Sequence, residues 1–248
     1  MNSPAAKHLQ NCPMQVAYRV SVANSLLAAL PRKDHHLLLA SLELVTLTSG
    51  EILYNPGEPI HHVYFPTDSL VTLLTLVEGH QALEVGMVGR EGMLGIPLAL
   101  GVNDSPVRAM VQGSGTALRM TSAHFLKEFQ QSLPLQREVY RHTYELMAQL
   151  TQTAACNRFH CVEARLARWL LMTRDRVKSN QFHLTHDLLG NMLGVRRVGV
   201  TKAAGELRQR NLISYNRGEI SILDGDGLEN AACQCYQIVK NMYGIALA

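Results

Sequence analysis

Between His186 and Lys202 the sequence gathers side chains suited to gripping a nucleic acid: His186, Arg196, Arg197, Val198, Thr201 and Lys202. Arginine and lysine donate to the O6 and N7 acceptors of guanine in the major groove. An apolar side chain such as Val198 can touch a thymine methyl but accepts nothing from cytosine. Thr201 and His186 are donors of the kind that hold a protein on phosphate oxygens, and Arg217, further along, adds a cation for the same task. The base contacts are therefore assigned to Arg196, Arg197, Val198 and Lys202, and the phosphate contacts to Thr201, His186 and Arg217. Residues 157–223 carry 12 Lys/Arg against 5 Asp/Glu, net +7, whereas residues 1–156 carry 10 against 12, net −2. A basic segment joined to a mildly acidic one directs the C-terminal part alone to a polyanion.

The local pattern supplies elements to position these groups. Thr185 stands where a helix N-cap is expected, and Asp187 suits the positive end of the helix dipole. Leu189, Gly190 and Leu193 share one face, with Gly190 small where a second helix must cross. Gly194 follows at once and can take the left-handed conformation that ends the helix. Val200, Ala203 and Leu207 then give a second helix an inward stripe, leaving Arg196, Arg197, Val198, Thr201 and Lys202 outside. An apolar-faced helix, a glycine turn and a second helix make a helix-turn-helix. The segments 212–215 and 219–223 read as two strands around the three-residue connection Asn216-Arg217-Gly218, a wing with Arg217 at its tip.

Upstream the period changes. A short amphipathic helix over residues 25–42 is interrupted by Pro31, after an irregular lead-in. From Glu43 to Arg119 short Val/Ile/Leu/Thr/Tyr runs are cut by breakers such as Gly50, Pro56-Gly57, Gly89 and Gly113, the pattern of an antiparallel sandwich or barrel. Residues 122–131 form one helix, and Pro134 starts another that runs without Gly or Pro to about Phe159. On that helix Leu135, Val139, His142, Leu146, Gln149 and Thr153 make one stripe, and Tyr140, Tyr144 and Met147 a second. A helix with two apolar sides can pack on its own domain and on a twin. A further helix over 162–177 is read with Val162, Leu166, Trp169, Leu170 and Met172 inward and Arg165, Arg168, Arg174 and Arg176 outward. The tail from Leu228 reads as a terminal helix.

Composition bounds the rest. With 47% hydrophobic and 17% charged residues the chain is globular. No apolar run approaches the ~20 residues a membrane helix needs, and the first residues lack the apolar core of an export signal, which points to the cytoplasm. The five cysteines, Cys12, Cys156, Cys161, Cys233 and Cys235, are read as reduced and as structural or incidental, because Cys233-x-Cys235 is too short a pair to define a metal site and no second pair follows it at zinc-finger spacing. His61 and His62, as strand neighbours, point to opposite faces and share no metal. There is no metal triad, nucleophile–base arrangement or phosphate loop, so no catalytic residue is assigned. The alternatives are a cupin-like barrel enzyme and a ligand-sensing module that acts through protein partners.

The stretches at 162–171, 184–197 and 212–215 resemble the catabolite-activator/fumarate-nitrate regulator family (Crp/Fnr), and Gly50-Glu-Ile-Leu-Tyr-Asn-Pro-Gly-Glu-Pro-Ile60 is similar to early strands of its cyclic-nucleotide-binding-type barrel. The resemblance spans roughly residues 25 to 224. It implies an α+β protein with an N-terminal antiparallel jelly-roll β-barrel, a long dimerisation helix and a C-terminal winged helix-turn-helix: a lead-in at 1–25, a sensor at 26–133, the dimer helix at 134–160 and the DNA-binding domain with its tail at 161–248. It further implies a homodimer on a palindromic operator in double-stranded DNA, with RNA polymerase as a partner. The family's arginine, glutamate and second basic residue fall on Arg197, Val198 and Lys202. The glutamate is missing, so base preference at that step should differ. The family's cyclic-nucleotide groups, a Gly-Glu pair and an Arg-Ser pair, are absent: Gly95 is followed by Ile96, and Arg108 by Ala109. Without charge-assisted donors a buried phosphate is not held, which argues against a cyclic nucleotide. Only Cys12 stands near the N-terminus, too few thiols for an iron–sulfur cluster there. No metal is expected, and the effector is left unassigned.

Overall fold

The computed structural model describes residues 21–78, 82–216 and 218–243. Most of the lead-in, Cys12 and Arg217 lie outside the described residues. Two short helices, α1 (Ser25–Ala28) and α2 (Arg32–Leu39), flank Pro31. Buried Asn24 caps α1 by accepting from Leu27 N at 3.1 Å, and its Nδ2 donates to the carbonyls of Pro66 and Gly92, tying this entry to the sheets.

Seven strands follow: β1 (Glu43–Leu47), β2 (Ile52–Tyr54), β3 (His62–Pro66), β4 (Leu70–Thr75), β5 (Leu83–Val88), β6 (Arg108–Gly113) and β7 (Gly115–Thr121), with one-turn helix α3 (Ile96–Ala99) before β6. They form two antiparallel sheets, ordered β1-β7-β3 and β2-β6-β4-β5. Leu47, Val63, Phe65 and Leu118 from the first sheet meet Val71, Leu73, Val88 and Val111 from the second in a common core. Strand β4 is apolar on both faces. Val71 and Leu73 enter this core, while Leu70 and Leu74 belong to the core of the C-terminal half. A strand buried on both sides reads as an unbroken apolar run, which the sequence shows from Leu70 to Val77 apart from its threonines.

Helix α4 (Ser122–Gln131) is capped by Thr121, and the 27-residue α5 (Leu133–Phe159) by Ser132, whose Oγ accepts from Leu135 N. Helix α5 buries Leu135, Val139, His142 and Gln149 against the sheets. Its other side leaves Tyr140, Tyr144 and Met147 at 49%, 68% and 61% exposure. The two stripes read from the sequence are thus one covered and one open.

The C-terminal half comprises α6 (Val162–Val177), β8 (Gln181–His183), α7 (His186–Leu193), α8 (Arg197–Gln209), β9 (Ile213–Asn216), β10 (Glu219–Ile222), α9 (Gly225–Ala231) and α10 (Cys235–Met242). Trp169, Leu170, Leu189, Val200, Leu207 and Ile220 share its core with Leu70, Leu74 and Met87 of the sheets. Several expectations are corrected here. Strand β8 pairs with β10 and makes the wing three-stranded, and the tail forms two helices rather than one. Asn216 pairs with Glu219, so the hairpin connection is two residues, not three. The arginines expected on the outer face of α6 are largely interior: Arg165, Arg168 and Arg176 are 7%, 7% and 1% exposed. Each has a partner elsewhere in the chain that takes up part of its donors, with one buried nitrogen left over on each: Arg165 Nε, Arg168 Nε and Arg176 Nη2. Arg176 Nε meets Glu91 Oε1 at 2.7 Å, Arg168 donates to Thr153 Oγ1 at 2.9 Å, and Arg165 donates to Asn157 Oδ1 and to the Leu193 carbonyl.

Candidate nucleic-acid interface

The helix-turn-helix is built as its residues dictate. Thr185 Oγ1 accepts from Leu188 N at 3.2 Å and starts α7. The helix buries Leu189, Gly190, Met192 and Leu193. Gly194, at φ 62° and ψ 38°, ends it in the left-handed conformation that costs glycine little. A Cβ on Gly190 would lie 2.9 Å from the Val195 carbonyl oxygen, so the turn closes directly over that glycine. The same contact carries a hydrogen bond, Val195 N to Gly190 O at 2.9 Å. Arg196 then serves as N-cap of α8, which turns Val200, Ala203, Ala204 and Leu207 inward.

The complementary face of α8 is open. Arg196, Arg197, Val198, Thr201 and Lys202 are all exposed, Val198 to 78%. Two of the cations have only loose local partners: Arg197 lies 3.4 Å from Asp187 and Lys202 3.9 Å from Glu206, all largely solvent-exposed. Exposed pairs of this kind contribute little and are readily exchanged for a phosphate or a base edge. Thr201 Oγ1 donates to the Arg197 carbonyl and meets His186 Nδ1 at 2.9 Å.

His186 is placed differently from the others. Its ring stacks on Tyr215 of the wing, with centroids 4.2 Å apart and planes 17° from parallel, and its Nε2 is buried. Burial and the nearby Arg197 charge push its pKa down, so the neutral ring is favoured. The side chain ties α7, α8 and the wing together beneath the open face and turns no donor outward. Arg217 lies outside the described residues. Because Arg165, Arg168 and Arg176 are engaged inside, the net charge of the segment overstates what a polyanion would meet; the outward cations of α8 are the relevant ones.

Two further features bear on ligands. Between the sheets and α5 lies a cavity of about 580 Å³ lined by Tyr54, Leu73, Val88, Met93, Leu146 and Met147 among others, with Asp104 the charged residue of its lining. Arg108 is turned to Asn55, donating from Nε at 2.8 Å. The second feature is a group of four donors, Cys156, His160, Cys233 and Cys235, whose ligand atoms all lie within 4.8 Å of one another. Reading the cysteines by their spacing along the chain missed this group, because its two halves are remote in sequence. The signal available was Cys156 and His160 at i and i+4, on one helix face.

The chain thus combines a two-sheet domain, a long helix and a winged helix-turn-helix whose second helix, α8, carries a basic outer face. Residues 164–231 match the model of the Crp-like helix-turn-helix domain. Among solved structures, FixK2 from Bradyrhizobium japonicum matches with a TM-score of 0.66 at 14% identity, over 77% of this chain and 98% of that one. The c-di-GMP-responsive global regulator CLP of Xanthomonas campestris matches with a TM-score of 0.64 at 15% identity, over 77% and 99%. A CRP-family transcriptional regulator of Thermus thermophilus matches at 0.63 and 19%, over 76% and 96%. No curated protein sequence matches the chain. The chain therefore carries a Crp-like helix-turn-helix domain on the fold of the Crp/Fnr-type transcription regulators, as its sequence leads one to expect. No helix of the described residues is long and apolar enough to cross a membrane.

Proposed function

We propose that the protein is a sequence-specific regulator that binds palindromic double-stranded DNA as a homodimer, with α8 in the major groove. The observation that carries this reading is the division of α8 into a fully buried apolar stripe and an open face of Arg196, Arg197, Val198, Thr201 and Lys202. In this reading Arg196, Arg197, Val198 and Lys202 meet base edges and Thr201 meets phosphate. His186 holds the helix in place from below, and Arg217 remains the proposed wing contact. The open stripe of α5 around Tyr144 supports pairing with a second copy, which would set two copies of α8 one helical turn of DNA apart. We assign sensing to residues 26–133, pairing to 134–160 and DNA binding to 161–248, with RNA polymerase as the partner of the bound dimer and the cytoplasm as its location. The role is binding rather than catalysis. The apolar cavity is the place for the signal. A cyclic phosphate there would meet a carboxylate and no guanidinium, so a neutral, apolar effector suits its lining better.

Selection of bound fragments from a random DNA pool, followed by titration of the recovered sequence, tests this. The parent protein should prefer a palindrome, with affinity falling steeply as salt rises. Arg197→Ala should keep weak, salt-sensitive binding and lose discrimination at one step of each half-site, by roughly 10-fold or more. An Arg197→Ala protein that discriminates as well as its parent refutes the groove docking.

A further inference from the structure

We infer that Cys156, His160, Cys233 and Cys235 form a Cys3His site for a single tetrahedral metal ion, zinc before others, that clasps the C-terminal helix onto the joint between α5 and α6. Cys156 and His160 lie on the last turn and at the cap of α5; Cys235 opens α10, and Cys233 lies just before it in the connection from α9. Cys156 Sγ is 3.4 Å from Cys233 Sγ, and Cys235 Sγ is 3.4 Å from His160 Nδ1. Bonds of about 2.3 Å to sulfur and 2.0–2.1 Å to nitrogen in a tetrahedron put neighbouring ligand atoms roughly 3.5–3.8 Å apart. Two donor pairs at 3.4 Å, with all four donors within 4.8 Å of one another, are therefore gathered at the scale of a single ion's coordination shell. Three soft sulfurs and an imidazole select zinc over magnesium or calcium.

The surroundings fit the charge of such a site. Zinc with three thiolates and a neutral histidine carries one net negative charge, and the guanidiniums of Arg165 and Arg168 lie close enough for Cys156 to feel their field. Gln152 Nε2 donates to Cys235 Sγ at 3.0 Å, the kind of outer hydrogen bond that orients a ligating sulfur. All three cysteines are buried and His160 is half-buried, so the donors are largely shielded from bulk water. Binding releases one proton from each ligating thiol that was protonated, to solvent, with no change of oxidation state. A disulfide between Cys156 and Cys233 would use two of the four donors and leave Cys235 and His160 facing each other without purpose. None of this depends on what α8 reads.

The test uses the full chain purified without chelator. Elemental analysis should give one zinc per chain. Apoprotein titrated with Co²⁺ should develop thiolate-to-cobalt charge-transfer and tetrahedral ligand-field bands that saturate at one equivalent and are abolished by Zn²⁺. Cys235→Ser and His160→Asn should each lose the bound zinc, and Cys161→Ser, at an exposed thiol outside the group, should keep it. Apo parent protein that takes up Co²⁺ without thiolate bands, or not at all, overturns the proposal even if the variants fail to fold. So does a loss of two titratable thiols in denaturant that only a reductant restores.

Discussion

Arg176→Met isolates one buried ionic contact between the two halves. Arg176 reaches from α6 to Glu91 in the sheet domain, and the two side chains are 1% and 0% exposed. Removing the guanidinium leaves a buried carboxylate whose remaining partner is the Gly89 backbone N–H, at 3.2 Å. Breaking a buried pair on one side costs about 3–5 kcal/mol. For a chain of this size each kcal/mol lowers Tm by about 2–4 °C, so the variant should melt about 6–20 °C below its parent by circular dichroism. The paired change Arg176→Met with Glu91→Leu makes the logic sharper. Arg176 Nη2 and Glu91 Oε2 both lack hydrogen-bond partners in the parent, so the ion pair is itself incompletely satisfied. Replacing both charges with apolar groups should bring the Tm back to near the parent value or above it. A single variant that melts within ~2 °C of the parent, or a double variant no better than the single one, would refute the reasoning.

Glu84, buried between Thr72 and Trp169, is pushed up to about 7 by burial, while burial takes His142 down to about 4. Between pH 4.5 and 7 folded Glu84 binds more protons than unfolded, so it makes stability fall as pH rises; His142 acts in the opposite sense between about 4 and 6.5. In urea unfolding, Glu84→Gln should gain about 3 kcal/mol relative to the parent on going from pH 4.5 to 7, and a pH-independent difference would contradict the burial of a carboxyl there. Gly190→Ala should cost about 1–3 kcal/mol and displace α8, because the new Cβ meets backbone rather than a movable side chain; unchanged stability and DNA affinity would show that the turn is slack. Tyr144→Glu, on the open stripe of α5, should shift sedimentation from dimer to monomer and weaken operator binding, whereas an unaltered dimer would place the interface elsewhere.

What the sequence made legible was what is decided locally. The cap at Thr185, the left-handed Gly194 and the 3.6-residue stripe of α8 lie within one short segment, and each depends on its immediate neighbours, so the helix-turn-helix could be read with its open face. The arginines of α6 could not. Arg176 is held by Glu91 and Arg168 by Thr153, and a charged residue at an inward position looks like an outward one until its partner is known. The cysteines fail for the same reason, since 77 positions separate Cys156 from Cys233. His186, by its type and position, reads as a phosphate donor. Its stacking on Tyr215 depends on where the wing folds back, which no local pattern records.

Leu73 lines the apolar cavity, and Leu74, its neighbour on β4, is embedded with Trp169 in the interior of the C-terminal half. The two adjoining Cα atoms are about 3.8 Å apart. Whatever displaces the first therefore acts on the second through a single peptide unit, at the point where the pairing of β4 with β5 shifts register. An occupant of the cavity would press on a strand whose next side chain shares a core with Val200 and Leu207 of α8, and a strand edited to tune one side would retune the other with it.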